Sequence, residues 1–450
     1  MNRRASLGLF LAAVLLMQGL QTWGAAYAGD GVHFQQHSAE DMMQTVSLAD
    51  LRHHPWQTLL ALHIQPPLLD GLRALLAQLW PGLRNRALVV EVDRALYLLW
   101  TLAYATMGVL VFRWLARLLD SPRAALAASA VFLLHPAALY YGTYLDGTFL
   151  TSLGILWLCY SLWAMPGRGA TLSLCAAYVF LFLLRSIFQW PALVVLLAAL
   201  WLQRVPRSKL LAFAAVCTVV VAAVMAKQYL VFGSTSTSSF AGSSCLKALG
   251  ELPEMGKVGS QAVPLGPLLR SRSYAEYPLA LTREAKITGA HNYNHVADLA
   301  NERKLLGECA EHLRRDPPSR TLRAWRENLS VFLQPSSQYL TTHAIVDHLP
   351  WRGLYDWVFS GSRLLLLLAA AAAAWARGRS RADIARGLGL ALPVAFVVTA
   401  CVTLERDENM RYKFFVEPVL YVFIASQLLA PLLARLRARR HGESAWSTNR

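Results

Sequence analysis

The ionisable residues that stand out are those bordering or interrupting apolar sequence. Asp30, Glu40 and Asp41 lie in a polar stretch between two strongly apolar ones. Asp146 ends the turn Tyr140-Tyr141-Gly142-Thr143-Tyr144-Leu145-Asp146-Gly147. Arg185 interrupts an apolar run, after Phe180-Leu181-Phe182-Leu183-Leu184 and before Trp190-Pro191. Arg411 and Lys413 close a charged turn, from Glu405 to Lys413, that leads directly into Phe414-Phe415-Val416-Glu417-Pro418. Desolvating such groups at a membrane face is costly, so each stays in water or has a partner. Together they suit one chemistry. A carboxylate accepts the proton of an attacking hydroxyl, and arginine or lysine neutralises a departing phosphate in a site shielded from water.

Each residue also has a plainer account. Asp30-Gly31 makes a turn leaving the first apolar segment. Glu40 and Asp41 complement the dipole in the first turn of a helix. Asp146-Gly147 is an ordinary turn dipeptide, Arg185 can snorkel to the interface, and the Glu405–Lys413 turn is self-neutralising. Glu417, at the start of an apolar helix, is harder to explain by solvation. His33 and His37, spaced by four, could bind metal or substrate; His291 and His295 have the same spacing, but no third metal ligand accompanies them. The run His291-Asn292-Tyr293-Asn294-His295 is dense in hydrogen-bonding groups and could line an acceptor site. No cofactor is implied, and a divalent metal is left open.

The elements that must position these residues follow from composition. The chain has 450 residues, 55% hydrophobic and only 16% charged, less charge than a soluble domain of this size carries. Fourteen Trp and sixteen Tyr suit aromatic belts at two interfaces. The net charge of +16 is gathered in short arginine runs in alternate loops, which reads as topology rather than nucleic-acid binding. The expected fold is an all-α polytopic membrane protein with about ten transmembrane helices. These fall near Ala5–Gly24, Ala95–Leu115, Ala124–Gly142, Thr148–Ala164, two within Thr171–Gln203, Leu210–Phe232, Leu354–Ala376, Gly387–Leu404 and Phe414–Ala434. Ala26-Tyr27-Ala28 also resembles a cleavage site, and a retained first helix is preferred.

Three regions result. Residues 1–232 form an N-terminal membrane module whose first exterior loop is 25–94. Residues 233–352 form a large, mostly helical exterior loop, and 353–450 form C-terminal helices and a basic tail. In the first loop, Ser38–His54 and Leu68–Trp80 read as amphipathic interfacial helices. Cys245 and Cys309 share the large loop, where a disulfide and two free thiols are equally good readings.

Two spaced motifs carry a family resemblance. Asp30-Gly31-Val32-His33-Phe34, followed by His63-Ile64-Gln65-Pro66-Pro67-Leu68, resembles the first exterior loop of protein O-mannosyltransferases. More broadly it is similar to the GT-C class of membrane glycosyltransferases, including aminoarabinose-transferase-like enzymes that use polyprenyl-phosphate sugars. Gly31 stands where the mannosyltransferases carry a second acid. The resemblance implies a GT-C-like fold and a base at Asp30, with Asp146 at a second acidic position and Glu40 and Asp41 as rival carboxylates. Arg185 falls where related transferases meet the lipid phosphate. Arg411 begins an Arg-Tyr-x-x-x-x-x-Pro entry to the last helix, so Arg411 and Lys413 would grip the leaving end. His33, His63, Gln65, His291 and Asn294 are the candidate substrate contacts. The implied reaction moves a sugar from a polyprenyl phosphate to a lipid, glycan or protein acceptor at the periplasmic face of a bacterial inner membrane, with both termini cytoplasmic. The alternatives are an O-antigen polymerase or ligase-like enzyme and a lipid-linked-glycan transporter or flippase.

Overall fold

In the computed structural model, residues 3–28, 38–165, 167–251, 265–339, 349–377, 379–406 and 408–447 are described, with 21–28 and 437–447 as backbone only. Among them the chain is all-helical; the isolated bridge between Ala285 and His291 joins no sheet. Five helices are long and apolar enough to cross a membrane: α1 (Arg3–Ala28), α5 (Asn85–Leu119), α11 (Arg207–Phe232), α19 (Arg381–Leu404) and α21 (Glu417–Ser447). A sixth span forms if α17 (Arg352–Val358) and α18 (Gly361–Ala376) are taken together, though they bend by 62°. The chain is a multi-pass membrane protein by these lengths and compositions.

The other apolar stretches correct the expectation of ten full spans. α6 (Pro122–Leu133), α8 (Gly147–Trp163), α9 (Ala170–Leu184) and α10 (Trp190–Leu202) have 12–17 residues, short of the ~20 that a straight span requires. Their ends have local causes. His135 and Pro136 stop α6 and start the short α7 (Pro136–Tyr141), because a proline ring cannot continue the preceding turn. Extended backbone at Arg185 and the turn Ser186–Phe188 separate α9 from α10, whose first turn holds Pro191.

The bundle packs α1 on α5, α5 on α6 and α8, α8 on α9, α10 on α19, and α21 on α5 and α18. Lipid offers little hydrophobic drive between helices, so close packing and interhelical hydrogen bonds hold such a bundle. Trp100, Tyr104 and Phe112 of α5 are fully buried. The Tyr421 hydroxyl donates to the Ala128 carbonyl at 2.6 Å, and Ser152 Oγ donates to that of Phe414 at 2.7 Å.

The first loop differs from its sequence reading. In place of one helix over 38–54, turns at 39–44 lead into α2 (Leu48–His53) and α3 (Pro55–Leu60), and α4 spans Leu68–Ala77. Glu40 folds back to accept the Leu48 N–H at 2.9 Å, serving the start of α2 from outside it. Pro55 then begins a new helix.

The large loop contributes α12 (Ala241–Ala248), the short α13 (Pro267–Arg270) and α14 (Leu279–Thr282), then α15 (Val296–Arg315) and α16 (Pro318–Phe332). A disulfide joins Cys245 on α12 to Cys309 on α15. The helices meet closely because Gly242 has no side chain: a Cβ there would lie 2.2 Å from the Glu302 carbonyl oxygen. Asn328 of α16 donates to the carbonyls of Ala248 and Val402 at 2.9 and 3.0 Å, tying α12 to the end of α19. Its own carbonyl accepts from Asn409 in α20 (Asn409–Lys413).

Candidate functional site

Four segments meet around one cleft of about 210 Å³. The α9–α10 break supplies Arg185 and Gln189, and the first loop supplies Gln44 and Gln65. The serine-rich segment after α11 supplies Ser236 and Ser238, and the stretch from the end of α19 through α20 supplies Glu405 and Tyr412. Backbone pairing sets these walls in register. The Ser239 N–H donates to the His63 carbonyl at 2.8 Å, and Ser238 Oγ donates to that of Ile64 at 2.7 Å.

Arg185 is the cation of the cleft. Its Nη1 donates to Gln44 Oε1 at 2.8 Å, and its Nη2 lies 3.6 Å from Asp146 Oδ2. Nε is buried without a hydrogen-bond partner among the described residues. Gly147 lets the guanidinium in, because a Cβ there would sit 3.1 Å from Nε. Asp146 caps α8, accepting from the Thr148 N–H at 2.8 Å and the Thr148 hydroxyl at 2.5 Å. Its Oδ2 also lies 3.5 Å from Arg411 Nη1, so one carboxylate stands between two guanidiniums. Both of its oxygens are engaged, which makes Asp146 the anchor of the arginines.

Arg411 is behind the cleft, not in its wall. It is stacked over the rings of Tyr339 and Tyr412 and paired with Glu408 at 2.5 Å. Burial alone would push the Glu408 carboxyl up, but Arg411 and the hydroxyls of Tyr339 and Tyr412 hold it below its ordinary value. Lys413 turns away altogether. It is fully buried, donates to the Phe359 carbonyl at 2.7 Å and pairs with Glu417 at 3.2 Å. Of the expected phosphate-gripping cations, the structure puts Arg185 in the cleft, Arg411 behind it and Lys413 outside.

The first-loop carboxylates hold the loop together. Glu40 is 1% exposed and meets Arg73, with the N–H groups of Leu48 and Ile287 and the Ser47 hydroxyl also donating to it. Arg73 pairs with Asp70 at 2.6 Å, and Lys286 donates to the Met42 carbonyl at 2.6 Å. Burial raises the Asp70 carboxyl against the pull of Arg73 and lowers the Lys286 amine to about 8. Asp41 bonds the Thr288 hydroxyl, and Asp50 grips Arg283 at 2.9 Å. These pairs dock residues 283–288 of the large loop onto the first loop.

His63 and Asn294 form a second clasp. The ring of His63 bonds Ser239 Oγ and the Asn294 carbonyl, each at 2.9 Å, and its N–H donates to Asn294 Oδ1. Burial lowers its imidazole to about 3, so the ring is neutral. Asn294 also donates to the carbonyls of Ala61 and Ala280. His291 is exposed and bonded to Asp298 at 3.0 Å. Of the expected substrate contacts among the described residues, Gln65 alone lines the cleft, with Nε2 buried and lacking a hydrogen-bond partner there. Asp30 and His33 lie outside the described residues. Among those residues no group of three or more His, Cys, Asp or Glu could hold a metal.

Two features escaped the sequence. The first is Glu405, the only carboxylate among the described residues lining the cleft. The second is a neighbouring groove of about 370 Å³ between α10 and α19, with Trp190, Pro191 and Phe396 among its walls. It shares Ser186, Ile187, Gln189, Ala400 and Leu404 with the cleft, so the two adjoin. Chemically, this arrangement offers a cation, uncharged amides and hydroxyls, and one carboxylate beside a second groove. No protein-family model matches the chain, and a search of curated proteins finds no match.

Proposed function

We propose that the chain is a membrane glycosyltransferase of GT-C type that moves a sugar from a polyprenyl-phosphate donor to an acceptor at the periplasmic face of a bacterial inner membrane, with both termini cytoplasmic. The observation that carries this reading is Arg185. It is a nearly buried arginine at a helix break, braced by Asp146 and facing a cleft that mixes amides and hydroxyls with apolar side chains and adjoins a second groove. An amphiphile with a phosphate between a sugar and a hydrocarbon chain fits those surfaces. The guanidinium would meet the phosphate, Gln44, Gln65, Gln189 and the serines the sugar hydroxyls, and the groove the chain. Arg411 acts through Asp146, the carboxylate it shares with Arg185, by fixing where Arg185 sits. The resemblance of the first loop and of Arg411-Tyr412 to GT-C motifs supports the same reaction class.

The test is transfer by purified protein from a panel of radiolabelled polyprenyl-phosphate monosaccharides, with Arg185→Ala beside the wild type. Wild-type transfer is expected. Arg185→Ala should weaken binding of undecaprenyl phosphate about 10–100-fold, the worth of one charge-assisted contact. Activity confined to diphosphate-linked glycans would select a polymerase or ligase. Binding of lipid-linked sugars without transfer would select a carrier.

A further inference from the structure

We infer that Glu405 is the general base of the site, the group that takes the proton from the acceptor hydroxyl; the inference rests on the transferase reading above. The argument begins with the lone pairs. A base must have an oxygen held weakly enough to turn to the acceptor. Glu40 spends both oxygens on Arg73, Leu48, Ser47 and Ile287, and Asp146 spends both on Thr148 and two arginines. Glu417 faces Lys413 and the Ser336 hydroxyl, within the bundle. Glu405 is held loosely, by the Ser244 hydroxyl and the Arg406 N–H, both at 3.4 Å. It shares the cleft wall with Tyr412, while Arg185 belongs to the α9–α10 segment of the same cleft.

Among the described residues, the charged groups nearby leave this carboxylate without a dedicated cation. On its own turn, Arg411 is taken by Glu408 and Asp146, and Arg406 reaches Glu327 of α16 at 3.5 Å. Lys247, from α12, is exposed and acts only at a distance; Cys401 of α19 lies one turn before Glu405 and faces the same cleft. Burial first, and then Glu408, raise the Glu405 carboxyl to about 7, against the opposing pull of Lys247 and Arg411. A carboxylate poised there accepts a proton readily near neutral pH.

The step balances without any further reactant. The acceptor O–H proton passes to a Glu405 oxygen as the acceptor oxygen bonds to the anomeric carbon. The bond from that carbon to the phosphate oxygen breaks, its electron pair stays on the phosphate, and Arg185 neutralises the charge. The proton then leaves Glu405 to water.

The experiment is the pH–rate profile of transfer from polyprenyl-phosphate monosaccharides between pH 5.5 and 9, for wild type, Glu405→Gln, Glu405→Asp and Asp30→Asn. Undecaprenyl phosphate binding is measured on each variant as the control for folding. The base must be ionised, so wild-type kcat/KM should rise with pH and level off above about 7. Glu405→Gln should bind undecaprenyl phosphate, lose about 10²–10⁴-fold in kcat and lose the acid limb. Glu405→Asp should restore part of the rate with the limb displaced. An active wild type with Glu405→Gln within threefold of it overturns the assignment alone, and a loss confined to Asp30→Asn gives the proton to that residue. A wild type that binds undecaprenyl phosphate but transfers from no donor overturns the transferase reading and the base with it.

Discussion

Replacing Glu40 by Gln separates a catalytic carboxylate from one that holds the first loop in shape. Gln keeps a carbonyl oxygen for the Leu48 and Ile287 N–H groups, but it removes the charge facing Arg73 and can turn an amide donor toward it. Breaking a buried pair from one side costs ~3–5 kcal/mol when nothing else supports the remaining charge. Here Arg73 keeps Asp70 at 2.6 Å, so the expected loss is about 2–3 kcal/mol. Arg73→Met is the harsher test, because it leaves Glu40 and Asp70 buried without their cation, and ~3–5 kcal/mol is expected at pH 7.5. The sign of its pH dependence follows from Asp70. Burial holds that carboxyl above its ordinary value in the folded protein. Its contribution to stability is therefore complete below the unfolded value and is lost as pH rises through the folded one. Without Arg73 the folded value rises further, so the penalty in Arg73→Met should shrink as pH falls from 7.5 to 5. Denaturant titration of the solubilised protein, followed by tryptophan fluorescence, reads both quantities. A wild-type midpoint for Glu40→Gln, or an Arg73→Met penalty constant across that range, would refute the reasoning.

Two other perturbations act on the clasps around the cleft. The Cys245–Cys309 bridge closes a separation of 64 residues, for which chain entropy predicts about 4 kcal/mol of stabilisation. Reduction, or Cys309→Ser, should lower the denaturant midpoint accordingly and slow the band on a gel run without reductant; unchanged stability in both would dismiss the bridge. His63 is buried neutral with its imidazole at about 3, so its stability contribution is present above about 6.5 and lost as pH falls from there toward 3. His63→Gln should flatten the acid side of the stability curve by up to ~4–5 kcal/mol, and an unaltered curve would place the acid sensitivity elsewhere.

Much of the fold was legible because apolar runs and their interruptions are statements about local sequence. The break at Arg185 with Pro191 beyond it could be read directly, since an arginine in an apolar run and a proline at a helix start each have a local cause. What could not be read was the length of the helices between breaks and the partners of polar residues far apart in sequence. Ser38 and Asp41 look like the start of a helix, but Glu40 finds Arg73 and Ile287 instead, and that pairing folds residues 39–44 into turns. His291-Asn292-Tyr293-Asn294-His295 looks like a ligand site for the same reason it makes a good clasp: it is rich in donors and acceptors. Local composition cannot say whether a ligand or the Ala61 and Ala280 carbonyls will use them.

Glu405 shows the opposite failure. In sequence it belongs to a turn where acids and bases alternate, and the natural reading is mutual neutralisation. In three dimensions the neutralisation is selective. Glu408 takes Arg411, which Asp146 also claims from another helix, and Arg406 reaches out to Glu327. Each pairing removes a cation from the turn, and what is left over is a carboxylate on the cleft wall with a raised affinity for protons. The residual charge of a turn is thus set by what the rest of the fold withdraws from it. The consequence can be tested at a distance: Glu327→Gln removes the carboxylate that Arg406, the residue next to Glu405, reaches on α16. If the selective pairing governs Glu405, the acid limb of the transfer profile should move to lower pH in Glu327→Gln, although Glu327 does not line the cleft. An unmoved limb would mean that Arg406 is too far from Glu405 in solution for the pairing to matter.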